Sequence, residues 1–154
     1  MFSADFDYFR ANSVAEAGEL LAKHPNAKLL AGGHSLIPLL KLRLSTPETV
    51  IDIGRIAYLP RIPVHDQLTI GALSTHADIA SSTDVQQHAT ALADAASQVG
   101  DPAVRNRGTI GGNIAHADPA SDLPTVLVSL GATLTVVGPA GERSVDVAEF
   151  FQGV

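Results

Sequence analysis

Apolar and polar positions change period several times along the chain, and each change marks an element. Residues 15–24, AEAGELLAKH, carry apolar side chains at helical spacing. They follow Ser13-Val14-Ala15-Glu16, the form of a capping box, in which a hydroxyl and a carboxylate three residues apart each accept from the other's backbone N–H. Residues 28–31 read as a short buried strand running into Gly32-Gly33. Ser35 is placed to cap a second helix through about Leu44, with Pro38 tolerated in its first turn, where N–H groups have no intrahelical acceptor. Thr49 to Ile53 reads as another buried strand, ended by Gly54. Alternation of strand and helix predicts a small α/β unit over residues 1–55.

Beyond a Pro-interrupted stretch, LPRIPVHDQ, the pattern changes. Leu68 to Leu73 reads as a strand, 75–81 and 84–99 as helices, and 108–113 as a Gly-rich loop. A helix follows at 122–130 with Ser121 as its N-cap. Ala132 to Val137 and Arg143 to Val147 read as two strands joined by the turn Gly138-Pro139-Ala140-Gly141. Residues 56–154 are therefore expected to form a larger α+β unit, with a seam near 54–63. No internal repeat, low-complexity segment or long linker interrupts the chain.

Composition narrows the function classes. With 154 residues, 45% apolar and 17% charged, the chain is long enough for a hydrophobic core and is globular. No apolar run approaches the roughly 20 residues that span a bilayer. The first ten residues carry Asp5 and Asp7 where a signal peptide would carry positive charge, so a cytoplasmic protein is expected. A net charge of −6 argues against nucleic acid as the partner. The chain has no Cys, which excludes disulfides, cysteine nucleophiles and thiolate-held iron–sulfur clusters. Any redox role must rest on an organic cofactor.

Two glycine segments are the candidate binding chemistry. In Leu30-Ala31-Gly32-Gly33-His34-Ser35-Leu36, a strand delivers two glycines to the start of a helix. A backbone without Cβ atoms lets a ligand approach, and its N–H groups can converge on an anion, with the Ser35 hydroxyl beside them. The second segment, Gly108-Thr109-Ile110-Gly111-Gly112-Asn113, offers small residues, a hydroxyl and a side-chain amide, with Arg105 and Arg107 just before it. Each alone reads more readily as a tight turn, and the arginines equally as solvated charges. Together, in an acidic chain, they point to a ligand with two phosphates, such as a dinucleotide. A side chain at Gly32, Gly33, Gly111 or Gly112 is then expected to harm binding more than folding.

Neither segment has the form G-x-G-x-x-G or G-K-[ST], so the usual dinucleotide and P-loop motifs are absent. Position 37 is Ile where a hydrolase nucleophile elbow needs Gly. The six His residues lack H-x-x-x-H spacing, so no metal ligands are assigned.

Ala31-Gly32-Gly33-His34-Ser35, Lys41-Leu42-Arg43, Val50-Ile51-Asp52-Ile53 and TIGGNIAHADPASDLP at 109–124 resemble, in order and spacing, the FAD-carrying subunit of the molybdenum hydroxylases. This is the family of aerobic carbon monoxide and xanthine dehydrogenases. Ile70-Gly71-Ala72-Leu73 and Asp101 to Arg107 fit it as well. The resemblance implies an FAD fold of the vanillyl-alcohol-oxidase (PCMH) type, in which two subdomains clasp the cofactor. It assigns Leu30 to Leu36 and Thr109 to Asn113 to the FAD pyrophosphate and Asp122 to the ribityl–adenosine side, with no catalytic residue on this chain.

It further implies substrate oxidation at a molybdenum–pterin site on a large partner subunit. Electrons would cross [2Fe–2S] clusters on a small subunit, reach FAD here, and leave to an external acceptor, within a dimer of heterotrimers. A nucleotide- or pyrophosphate-binding module that kept the fold and lost flavin is the competing reading. Members of the family continue past the position of Val154 with a closing strand and a further domain. Weak FAD binding and an exposed sheet edge are therefore expected of these 154 residues alone.

Overall fold

Three parallel strands organise the chain up to Tyr58, and a helical layer with one hairpin organises it from Leu59 onward; these are two separate units. The computed structural model describes residues 2–151. The first unit runs β1 (Asp7–Arg10), α1 (Val14–Lys23), β2 (Lys28–Leu30), α2 (Leu36–Lys41) and β3 (Thr49–Asp52). The strand order is β1-β3-β2, with Arg10 opposite Asp52 and Leu30 opposite Asp52 at the carboxyl ends. Central β3 has neighbours on both edges, and Thr49, Val50 and Ile51 are all buried, which is why it reads as a continuous apolar run.

Helix α1 covers one face of this sheet through Ala17, packed with Ala11 and Ile51. Its start departs slightly from a capping box. Ser13 Oγ accepts from Glu16 N at 3.1 Å, but Glu16 Oε2 reaches back to Asn12 N at 2.7 Å, one residue earlier than the motif prescribes.

Three local expectations need correction. Strand β1 was not foreseen: all four of its residues are exposed, so it carries no apolar run. Strand β2 is an edge strand whose Lys28 and Leu29 are exposed, not a buried one. Helix α2 stops at Lys41 and does not reach Leu44. Arg43 adopts φ 57°, and Arg43 N and Leu44 N turn back to Leu40 O at 3.1 Å and Leu39 O at 2.9 Å. These are the two bonds of a Schellman ending, made here with Arg where Gly is usual.

The second unit runs α3 (His76–Ser81), α4 (Thr83–His88), α5 (Thr90–Gln98), α6 (Pro102–Arg105), α7 (Ile110–His116), α8 (Asp122–Ser129), β4 (Thr133–Gly138), β5 (Gly141–Asp146) and α9 (Val147–Phe150). Its core gathers Ile79, Val85, Leu92, Ile110, Leu123 and Val147. Thr75 and Asp78 form a full capping box on α3. The hairpin pairs Leu134 with Val145 and closes at Gly138 opposite Gly141, where φ is 100°. This turn is tighter than foreseen, so β5 begins at Gly141. Val147 leaves the sheet for α9, whose start is capped by Asp146 Oδ1 on Ala148 N at 2.8 Å.

Residues 68–73 do not form the expected strand. Thr69 N, Gly71 N and Leu73 N donate to Pro63 O, Arg61 O and Leu59 O at 2.8–3.0 Å. Pro63 has no N–H to return to Thr69, and apart from the bridge between Val64 and Leu68 these bonds run one way. The single helix expected over 84–99 is broken at Ala89, φ −147° and ψ 54°. The Gln86 carbonyl, which an unbroken helix would pair with Thr90 N, accepts from Thr90 Oγ1 at 2.7 Å. Among the described residues no helix is long and apolar enough to cross a membrane. The architecture is α+β, a parallel three-stranded sheet in one unit and an antiparallel hairpin in the other.

Candidate functional site

The candidate residues fall into two sets, one in each unit. In the first unit, Leu30 ends β2, and its carbonyl accepts from Ile53 N at 3.0 Å. The chain then turns through Ala31 to Ser35, with Gly33 at φ 82°, before Ile37 N bonds to Gly33 O at 3.0 Å and α2 begins. Ser35 occupies the N-cap position but makes no capping bond. Its backbone is helical, φ −100° and ψ −51°, whereas a capping side chain needs an extended residue to reach back to the helix amides. The expected cap is therefore absent, and the exposed hydroxyl stays available.

Among the described residues no acceptor takes the backbone N–H of Gly32, Gly33, Ser35 or Leu36. Half-buried glycines with unpaired donors form a cradle that an anion can fill. It lies beyond the carboxyl end of a parallel strand, the usual ligand position in α/β sheets. His34 and Ser35 are exposed beside it.

The neighbouring turn after β3 is pinned by Asp52. One carboxylate oxygen accepts from Gly54 N at 2.7 Å, and the other from the Tyr8 hydroxyl, with Arg10 Nε at 3.8 Å. The Arg10 guanidinium is held above its ordinary value, first by its hydrogen bond with Tyr8 and then by charge at Tyr8 and Asp52. A Cβ on Gly54 would stand 3.8 Å from Ala31 O, so this turn runs beside the glycine cradle. Tyr8 and Arg10 were not singled out from the sequence. Their only signal is their two-residue spacing, which puts both on one face of a strand.

In the second unit the expected loop at 108–113 is the start of a helix. Thr109 caps α7, accepting from Gly112 N at 3.2 Å. Ile110 N donates to Ser74 O at 3.0 Å, Gly111 N to Ala72 O at 2.9 Å, and Asn113 N to Thr109 O at 2.9 Å. Every amide from 110 to 113 is thus taken within the protein. A Cβ on Gly111 would lie 2.7 Å from both Ala72 O and Ala72 Cβ. The glycine is needed there because another stretch of protein backbone approaches, a reason the sequence pattern did not distinguish from ligand approach.

Asn113 is half-buried, and its Oδ1 accepts from Ser121 Oγ at 2.9 Å. That bond joins the second segment to the start of α8, where Asp122 is exposed. The connection between them is a scaffold. Ala117 takes φ 54°, Asp118 Oδ1 accepts from Ala120 N at 2.9 Å, and Asp118 O from Ser121 N at 3.0 Å. Arg105 braces the turn before α6, donating to Val99 O and Gly100 O at 3.1 Å each, whereas Arg107 is exposed. Among the described residues no three His, Asp or Glu gather as a metal site.

Comparison with known proteins adds a family. Residues 4–154 match the family described as the FAD binding domain in molybdopterin dehydrogenase. The chain is 43% identical over 154 residues to the glyceraldehyde dehydrogenase medium chain of Sulfolobus acidocaldarius, covering 99% of this chain and 55% of that one. It is 45% identical over 155 residues to the carbon monoxide dehydrogenase medium chain of Hydrogenophaga pseudoflava, covering 99% and 54%. A solved structure of carbon monoxide dehydrogenase from Hydrogenophaga pseudoflava, lacking the Mo-pyranopterin moiety, superposes with a TM-score of 0.97 at 46% identity. That match covers 99% of this chain and 54% of the other. The chain spans about half the length of the relatives it matches.

Proposed function

The chain belongs to the family of FAD binding domains in molybdopterin dehydrogenases, and on that premise we propose that it carries FAD in the electron-transfer subunit of a molybdenum hydroxylase. The observation that carries this reading is the set of backbone donors at Gly32, Gly33, Ser35 and Leu36 that no acceptor among the described residues takes. Such a cradle suits the diphosphate of FAD, and the Ser35 hydroxyl adds one more donor. Leu30, Ala31 and His34 would flank the cradle. Thr109 to Asn113 would meet the cofactor from the second unit, and the exposed Asp122 would accept from ribose or ribityl hydroxyls. The two units would form the vanillyl-alcohol-oxidase (PCMH) type of FAD fold.

When bound, FAD supplies a carrier that takes up and releases electrons one or two at a time. This chain's own part is to bind and orient it, having no thiolate to hold an iron–sulfur cluster. The relatives named above are called medium chains, which places them in multi-subunit dehydrogenases. We assign this chain the same place, between a small subunit carrying [2Fe–2S] clusters and an external acceptor, with substrate oxidised on a large molybdopterin subunit. A dimer of such heterotrimers is the expected assembly, with the carbon monoxide dehydrogenase medium chain as one counterpart.

The test is a titration of purified flavin-free protein with FAD, followed by flavin fluorescence, with ADP as competitor. One FAD per chain, displaced by ADP, is the expected result. ADP binding without FAD binding would indicate a nucleotide module that has lost flavin. Binding of neither would end the cofactor assignment.

A further inference from the structure

The second segment offers a ligand something different from the first. Its amides at 110 to 113 already bond to Ser74 O, Ala72 O, Thr109 Oγ1 and Thr109 O, and Thr109 itself is 6% exposed. A diphosphate arriving there finds no free backbone donor in that stretch. What remains is the side chain of Asn113. Its Oδ1 is occupied by the Ser121 hydroxyl at 2.9 Å, and among the described residues no acceptor takes its Nδ2.

Ser121 gives up something to make that bond. It is the N-cap residue of the eight-residue α8, with extended backbone at φ −82° and ψ 133°, the geometry in which Ser normally accepts from the helix amides. It makes no such bond, and its hydroxyl donates to a residue of another helix. Because that donor holds Oδ1, the Asn113 amide has one orientation about its last torsion, and Nδ2 carries its two remaining N–H donors.

We infer that Ser121 is a positioning residue, holding the Asn113 amide so that Nδ2 is the donor the second unit presents to a diphosphate. This rests on the FAD reading and deepens it, assigning the second segment's contact to one side chain and leaving the backbone contact to the first. Without the Ser121 hydroxyl, the amide turns freely about its last torsion, and Oδ1 faces the anion for part of the time.

The experiment is a titration of the flavin-free chain with ADP and with FAD, comparing wild type with S121A, S121T, N113A, N113D and the double variant S121A/N113A. S121A weakens both ligands about five- to tenfold, and S121T, which keeps a hydroxyl, stays within about twofold of wild type. N113A weakens both roughly ten- to a hundredfold, the worth of a hydrogen bond to a charged group. N113D, which can accept from Ser121 but offers no donor, is weaker still. The double variant binds no more weakly than N113A alone, because Ser121 acts only through Asn113. A purely structural role for Ser121 would give additive losses instead, and additivity overturns the inference. So does S121A binding within twofold of a wild type that binds ADP. Should S121A fail to fold, N113D decides: wild-type affinity in that variant overturns the assignment. A wild-type chain that binds neither ligand removes the FAD reading along with the inference.

Discussion

Replacing Gly111 with Ala tests whether that glycine serves the fold. The added Cβ would sit 2.7 Å from Ala72 O and Ala72 Cβ and 3.0 Å from Ala72 Cα. Non-bonded carbons prefer about 3.5 Å or more, so the overlap is about 0.8 Å, and it falls on backbone that cannot swing aside. Moving the helix start away by that amount would stretch the 2.9 Å bond from Gly111 N to Ala72 O to about 3.7 Å, beyond hydrogen-bond range. Overpacking costs about 1–3 kcal/mol and an orphaned amide about 1–3 kcal/mol, so a loss of roughly 2–6 kcal/mol is expected. At about 2–4 °C per kcal/mol for a chain of this size, the melting temperature should fall by roughly 4–24 °C.

The assay is thermal unfolding of ligand-free protein by circular dichroism, with Gly18→Ala as the control. Gly18 lies within α1 with nothing within 4 Å of an added Cβ, so its replacement should stabilise by about 0.5–1 kcal/mol. A Gly111→Ala variant melting within about 2 °C of wild type would refute the close-packing argument. It would return Gly111 to the role first expected of it, a site where a side chain harms cofactor binding more than folding.

Two smaller effects are equally checkable. Arg43→Gly relieves a left-handed residue at the end of α2 and, among the described residues, loses only an exposed 3.4 Å bond from Arg43 Nε to Phe2 O, so urea unfolding should show a gain of about 0.5–1 kcal/mol; a loss would mean that the Arg43 side chain holds more than that contact. Ser13→Ala removes the 3.1 Å cap on Glu16 N and should cost about 1 kcal/mol in the same assay; an unchanged midpoint would show that α1 does not depend on this cap.

The elements legible from the sequence were those whose signal is local. Ser13 before an amphipathic stretch marked α1, the apolar run at 49–53 marked β3, and Gly-Pro-Ala-Gly marked the hairpin. Elements decided by a distant partner were not legible. Strand β1 is exposed on every residue and exists because β3 lies beside it. The stretch at 68–73 has strand-like residues, but its partner at 59–63 contains Pro60 and Pro63. The break at Ala89 depends on the Thr90 hydroxyl substituting for a backbone bond. The candidate site divides in the same way. Two glycine segments stood out by composition, yet only hydrogen-bond partners separate the open amides of Gly32, Gly33, Ser35 and Leu36 from the occupied ones of 110–113. The bond from Ser121 to Asn113 spans eight residues between two helices, and no spacing rule announces it.

The strand order β1-β3-β2 also dictates when the first unit can form during synthesis. β1 and β2 leave the ribosome before β3 but do not pair with each other, and among the described residues each pairs with β3 alone. Until Thr49–Asp52 has emerged, Asp7–Arg10 and Lys28–Leu30 are strands without neighbours, and Ile51 is missing from the face that α1 covers. Closing the span from Asp7 to Thr49 orders many residues before any pairing rewards it, the kind of non-local contact that slows folding. The nascent unit should therefore remain open to proteases until β3 is available and then close in one cooperative step, completing the glycine turn at residues 31–35 only with its last strand.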